Sequence, residues 1–221
     1  MGNEHPILFT GEMVRAILDG RKTQTRRVIK PQPYPSKAGP DLWGVKTKRS
    51  KKAMSLINAT VADVRYFCER WCPYGIAEDH LWVRETCYAQ ELESGLDGVR
   101  YCADNAFIPI ENSQEAADRW GDLYAYRQQV GATVPSIHMP RWASRIKLGV
   151  VRVRAERVQG ISEKDVLAEG FPWRGIGAEL QWGYRPPLVW FQALWDRINA
   201  KRGYGWDVNP WVWAVEFEVE Q

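Results

Sequence analysis

PILFTGEMVRAILDGRKTQTRR, residues 6–27, holds in order a short apolar run, an amphipathic helix pattern and a basic stretch. Pro6-Ile7-Leu8-Phe9 predicts a strand, and Thr10 offers a hydroxyl to cap a helix with Met13, Ala16 and Ile17 on one face. Asp19-Gly20 ends that helix, because glycine accepts the left-handed backbone that a helix C-terminus favours, so Arg21 to Arg27 leaves in a new direction.

Further along the chain, Leu81-Trp82-Val83-Arg84-Glu85-Thr86 sets Leu81 and Val83 against Trp82 and Arg84 and predicts a strand with one face inward. Arg145 to Val158 predicts a long basic strand carrying Arg152, Arg154 and Arg157. At Ile161-Ser162-Glu163-Lys164-Asp165-Val166 a helix begins, Ser162 capping and Ile161 packing on Val166, and it stops at Gly170. A second helix from about Pro187 sets Leu188, Phe191, Leu194, Trp195 and Ile198 on one stripe. Trp211 to Val219 is apolar at every odd position, with Glu216 and Glu218 pointing the other way, and predicts a half-buried strand. Between these, Pro31, Pro33, Pro35 and Pro40 predict an exposed irregular loop over 31–52, and residues 90–135 predict short segments broken by Gly95, Asp97-Gly98, Asn112 and Gly131. Strands joined by long connections with a few short helices make an α+β fold, a small mixed β-barrel carrying insertions.

The chain has 221 residues, 45% of them hydrophobic, enough for a real core and against a disordered or fibrous class. Its net charge of +3 hides an asymmetry: residues 21–52 hold eleven Lys/Arg and one acid, Asp41, a local charge of +10. With twelve Trp, that basic segment points to nucleic acid, nucleotide or base as ligand class. Met1 to Thr10 lacks a signal-peptide pattern and no apolar run reaches about 20 residues, so a cytoplasmic protein with no membrane association is expected. Cys68, Cys72, Cys87 and Cys102 are then expected as reduced thiols. Cys68, Cys72, His80 and Cys87 can be set out as zinc ligands, but the spacing matches no standard module, and neither metal nor cofactor is expected.

Three places could carry chemistry. Gly20-Arg21-Lys22-Thr23-Gln24-Thr25-Arg26-Arg27 gathers an amine, two hydroxyls and three guanidiniums, but it has one glycine and leads out of a helix, which excludes a Walker loop. Lys22 and Thr25 face opposite sides of a straight strand and cooperate only if the chain turns between them; the plainer reading is a solvated basic strand start. Glu169 sits in the last turn of its helix, where the dipole disfavours a carboxylate, among apolar neighbours; it is either an acid/base group or merely exposed. In Pro135 to Arg145, Arg141 and Arg145 flank Trp142 and either stack on a base and hold phosphate, or lie solvated around a core tryptophan. His138 reads as structural.

Gly20-Arg21-Lys22-Thr23-x-Thr25-x-Arg27, after a short strand and helix, resembles the signature of the ASCH domain family, whose fold is similar to the PUA barrel of RNA-binding proteins. Asp79 to Glu85 resembles the family's strand after a Gly-Asp turn, with Glu78 where a glycine is usual; Ile161 to Gly170 resembles its short helix, and Trp213 to Phe217 its closing strand. The pattern as a whole is similar to the long members encoded by bacteriophages and prophages. The resemblance implies a single PUA-like domain over 1–221, with insertions roughly within 31–75, 89–135 and 172–205. Compact bacterial members include an N4-acetylcytidine amidohydrolase that uses a lysine, a threonine and a glutamate, matching Lys22, Thr25 and Glu169. Thr25 would then be nucleophile, Lys22 its base and Glu169 the proton donor to the leaving amine. Arg21, Arg26, Arg27, Arg84, Arg141, Trp142 and Arg145 would bind the RNA, nucleoside or modified base. Other members are ribonucleases or RNA binders, which leaves a binding module or a ribonuclease as the alternative. A third reading is a phage protein that meets a host or phage partner through the insertions, in a host defence or in particle assembly.

Overall fold

The computed structural model describes residues 2–39, 41–47, 54–172 and 187–220. It is a mixed α+β chain with several sheets, and among the described residues there are five α-helices and no closed barrel. The chain divides into two compact units, one from residues 1–5, 20–80 and 149–218, the other from 6–19, 81–148 and 219–221.

In the first unit, β2 (Gln24–Val28), β10 (Lys147–Arg157) and β11 (Trp211–Val219) lie in the order β10-β11-β2. β11 runs antiparallel to β2, with Thr25 opposite Val215 and Gln24 opposite Glu216. Trp211 to Val215 are all buried, where alternation predicts only one covered face, because both faces of β11 are covered: Val212 packs with Phe191 and Trp195, and the Trp213 indole N–H donates to the Cys68 carbonyl at 2.9 Å beside the Tyr74 ring. β3 (Tyr34–Pro35), β4 (Trp43–Thr47) and β5 (Met54–Ala59) form a separate antiparallel sheet, followed by α2 (Val61–Arg70). The irregular loop expected over 31–52 is therefore corrected: Pro35 lies in the two-residue edge strand β3 and Pro33 just before it, where a missing N–H is tolerated, and Pro40 lies outside the described residues. Lys48 to Lys52 lie outside the described residues.

α4 (Glu163–Ala168) starts as expected, the Ser162 hydroxyl accepting from the Asp165 N–H at 3.1 Å. Ile161 and Val166 share an apolar cluster with Val158, Phe191, Trp195 and Val212. Phe191 and Trp195 belong to α5 (Pro187–Asn199), whose Leu188 is exposed rather than part of the buried stripe.

The second unit holds α1 (Gly11–Leu18), capped by Thr10, whose hydroxyl accepts from the Met13 N–H. Gly20, just beyond it in the chain, has φ +70°. Most of β1 (Glu4–Leu8) and of β6 (His80–Arg84) belongs here, with Leu81 and Val83 inward. The segment expected to be broken folds into the antiparallel sheet β7 (Cys87–Glu91), β8 (Asp97–Tyr101) and β9 (Phe107–Pro109), followed by α3 (Gln114–Tyr124). Cys87, Val99, Tyr101, Trp120, Leu123 and Met139 form its core.

Candidate functional site

α4 is six residues long and ends at Glu169, with Gly170 at φ +93° turning the chain away. The strand leaving Gly20 zips onto that end. The Thr23 N–H donates to the Ala168 carbonyl at 2.9 Å, and Lys22 and Glu169 form an isolated antiparallel bridge. The main chain alone therefore fixes two charged side chains against each other.

Lys22 is 1% exposed and Glu169 5%. Lys22 Nζ donates to Glu169 Oε2 at 2.7 Å, to the Glu169 carbonyl at 2.9 Å and to the Gln24 carbonyl at 2.8 Å. Three acceptors suit the three N–H groups of an ammonium. Burial nonetheless pushes the Lys22 amine below its ordinary value, against the attraction of Glu169, and Arg27 and Arg26 push it the same way as burial. That direction moves the amine toward the neutral form that a lysine base requires. Neither plain reading made from sequence describes these two groups: Lys22 is not solvated and Glu169 is not exposed.

Around this pair lies an ion network that the sequence did not announce. Gln24 and Arg26, two residues apart on β2, turn to one face. Arg26 has all five N–H groups engaged: Nε and Nη2 to Glu156 Oε1 at 3.0 and 2.6 Å, Nη2 to Asp165 Oδ2 at 3.1 Å, and Nη1 to Gln24 Oε1 at 2.6 Å and Glu169 Oε1 at 3.2 Å. Arg154, on the same face of β10 as Glu156, reaches Glu216 Oε1, Asp165 Oδ1 at 3.4 Å and Glu156 Oε2 at 3.5 Å. Gln24 Nε2 donates to Asp165 Oδ1 at 3.1 Å and Glu216 Oε1 at 3.3 Å. Burial raises the Asp165 carboxyl, but the Gln24 hydrogen bond, Arg26, the Ser162 cap and Arg154 outweigh it and hold it below its ordinary value. One signal was available: Asp165 and Glu169 are four residues apart, which puts both carboxylates on one helix face.

Thr25, 2% exposed, takes the opposite face of β2 by strand alternation, and among the described residues its hydroxyl bonds to neither Lys22 nor Glu169. Arg21 is exposed and donates to the Gly170 carbonyl at 3.2 Å. Arg27 is half-buried, and burial pushes its guanidinium below the ordinary value.

In the second unit, Arg145 is held by Glu85 at 2.8 and 3.0 Å and by Asp104 at 2.9 Å through two oxygens, over the Tyr101 ring at 4.1 Å. Trp142 packs half-buried on the core of that unit. Arg84 and Arg141 instead stand over the Trp82 ring, at 5.3 and 5.7 Å, and Arg84 also donates to the Ile137 carbonyl. His138 is exposed, with the Tyr126 ring 5.9 Å away.

Among the described residues no group of three or more His, Cys, Asp and Glu gathers for a metal ion. Cys68, Cys72 and Cys87 are buried thiols, and burial raises Cys68 and Cys87 to about 12; Cys102 is exposed. No described helix is long and apolar enough to cross a membrane. No protein-family model, curated protein or solved structure matches the chain.

Proposed function

We propose that the chain is an ASCH-type protein directed at a nucleoside or RNA, and that it hydrolyses an acyl amide on a modified nucleoside of the N4-acetylcytidine kind. The observation that carries this reading is the buried 2.7 Å contact between Lys22 Nζ and Glu169 Oε2, formed by residues 147 positions apart. An amide resists hydrolysis because a hydroxyl is a weak nucleophile and an amine a poor leaving group, so one base and one acid in contact are what the reaction needs.

In this mechanism Thr25 Oγ1 bonds to the acyl carbon while its proton passes to neutral Lys22. The tetrahedral intermediate collapses, the C–N bond breaks, and the leaving nitrogen takes a proton from Glu169. The proton gained by Lys22 resupplies Glu169 across their contact, and water then releases the acyl group from Thr25. Thr25 lies beside the pair in sequence but on the opposite face of β2, so its part as nucleophile rests on the family resemblance, and water takes that part if the hydroxyl proves dispensable. The PUA-like barrel, a phage-type origin, residence in the host cytoplasm and RNA, nucleoside or modified base as partner belong to the same reading and rest on the family resemblance.

Incubation of the purified chain with N4-acetylcytidine, N4-acetylcytosine and an RNA oligonucleotide, followed by chromatography, tests it. Cytidine or cytosine with intact RNA is the expected product pattern. Shortened RNA with intact nucleoside would replace it with the ribonuclease reading.

A second reading, a nucleic-acid-binding face without chemistry, is favoured by one feature: two guanidiniums flanking the Trp82 indole. Arg26 and Arg145 do not contribute to it, because carboxylates already hold their guanidiniums.

A further inference from the structure

We infer that Arg26 is a positioning residue for the Lys22–Glu169 pair, orienting the Glu169 carboxylate rather than touching substrate. This rests on the reading of that pair as the acid/base centre. The geometry is specific. Arg26 Nη1 occupies Glu169 Oε1 at 3.2 Å and so leaves Oε2 to Lys22 at 2.7 Å. The guanidinium is itself anchored from two other elements, by Glu156 on β10 and by Asp165 on α4, and Arg154 grips the same two carboxylates from the far side. A planar fork held at four points sets the rotation of the Glu169 carboxylate, which a lysine at this position would not do. Every N–H of Arg26 is engaged, and a guanidinium, unlike the Lys22 amine, does not give up a proton, so Arg26 offers a ligand neither a donor nor a base.

The charged groups facing the pair and its clamp are Arg26 and Arg27 on β2, Asp165 on α4, Arg154 and Glu156 on β10 and Glu216 on β11. Arg26 is among those that depress Lys22. Replacing it by a neutral side chain therefore raises the pH at which the Lys22 amine loses its proton, while lysine in its place keeps the charge and loses the fork.

The experiment uses Arg26→Gln, Arg26→Lys and Asp165→Asn, the last removing an anchor without altering Lys22, Glu169 or Arg26. Each is read in two ways: N4-acetylcytidine kinetics, and the Lys22 titration by NMR of isotopically labelled protein. Folding is followed by circular dichroism. The expected result is a kcat about a hundredfold lower in Arg26→Lys with KM unchanged, as for a misplaced catalytic group. Lys22 should titrate higher in Arg26→Gln, and Asp165→Asn should lower kcat less than Arg26→Lys. If the wild type does not turn over the nucleoside, the acid/base reading falls, and the Lys22 titration still decides whether Arg26 controls the pair. An unchanged Lys22 titration in Arg26→Gln, with any lost activity matched by lost folded protein, overturns the inference; if that variant does not fold, an unchanged Asp165→Asn in both readouts does so.

Discussion

Lys22 Nζ and Glu169 Oε2 meet at 2.7 Å where a strand start is bridged to a helix end, and both side chains are shut from solvent. Because burial lowers the folded-state pKa of Lys22 below 10.5, the unfolded chain binds the extra proton between the two values. The Lys22 contribution to stability therefore rises with pH through that window and levels off above about 10.5, the ordinary lysine value. Urea unfolding at a series of alkaline pH values should show this slope in the wild type and lose it in Lys22→Met. Equal slopes in the two proteins would mean that Lys22 is not the group responsible.

Thr25 separates chemistry from architecture. Thr25→Ser keeps a hydroxyl on the same face of β2 and should retain N4-acetylcytidine turnover, whereas Thr25→Ala should lose about 100-fold or more of kcat when the proteins are compared at equal folded concentration. Retained turnover in Thr25→Ala would transfer the nucleophile's role to water.

Arg145 is structural in this account. Glu85 is 1% exposed, and removing its partner in Arg145→Leu leaves a buried carboxylate uncompensated, a loss of about 3–5 kcal/mol measured by chemical denaturation. The Arg145 hydrogen bond also holds the Asp104 carboxyl below its ordinary value. That contribution is present above about pH 4 and is lost as pH falls through the depressed folded value, so the variant should be less sensitive to acid than the wild type.

Arg141 and Arg84 divide the two functional readings. If the Trp82 face binds RNA, Arg141→Ala should reduce the slope of log affinity against log salt by about one unit, and Trp82→Ala should weaken binding by about 1–3 kcal/mol at fixed salt. Fluorescence anisotropy with a single-stranded oligonucleotide measures both. A slope unchanged in Arg141→Ala would remove this face from consideration.

What sequence could show was local. The Thr10 and Ser162 caps, the turns at Gly20 and Gly170 and the inward Leu81 and Val83 follow from residues within a turn or two of each other, and the structure has them. The sheets β3-β4-β5 and β7-β8-β9 were hidden, because proline and glycine mark where a chain bends and not which strands then pair. Glu169 stood out on its own as a carboxylate at the wrong end of a helix, but its burial depends on Lys22, which arrives from the far end of the chain. Arg26 was legible only as one more positive charge, since Glu156, Asp165 and Glu169 lie 130 to 143 positions away. Much of the opening +10 is likewise different in space: Lys22 and Arg26 are internal and neutralised, so the surface charge of that segment is smaller than its composition implies.

If Lys22 and Glu169 act together on an amide, the release of cytidine from N4-acetylcytidine reports it. Wild type, Lys22→Met, Glu169→Gln and the double variant are compared at equal folded concentration, fixed from each protein's own unfolding curve. Each single variant should lose nearly all turnover and the double variant little more, because the two groups work as one unit. Turnover that survives in either single variant, or independent losses that multiply in the double, would mean that the two groups are not one catalytic unit.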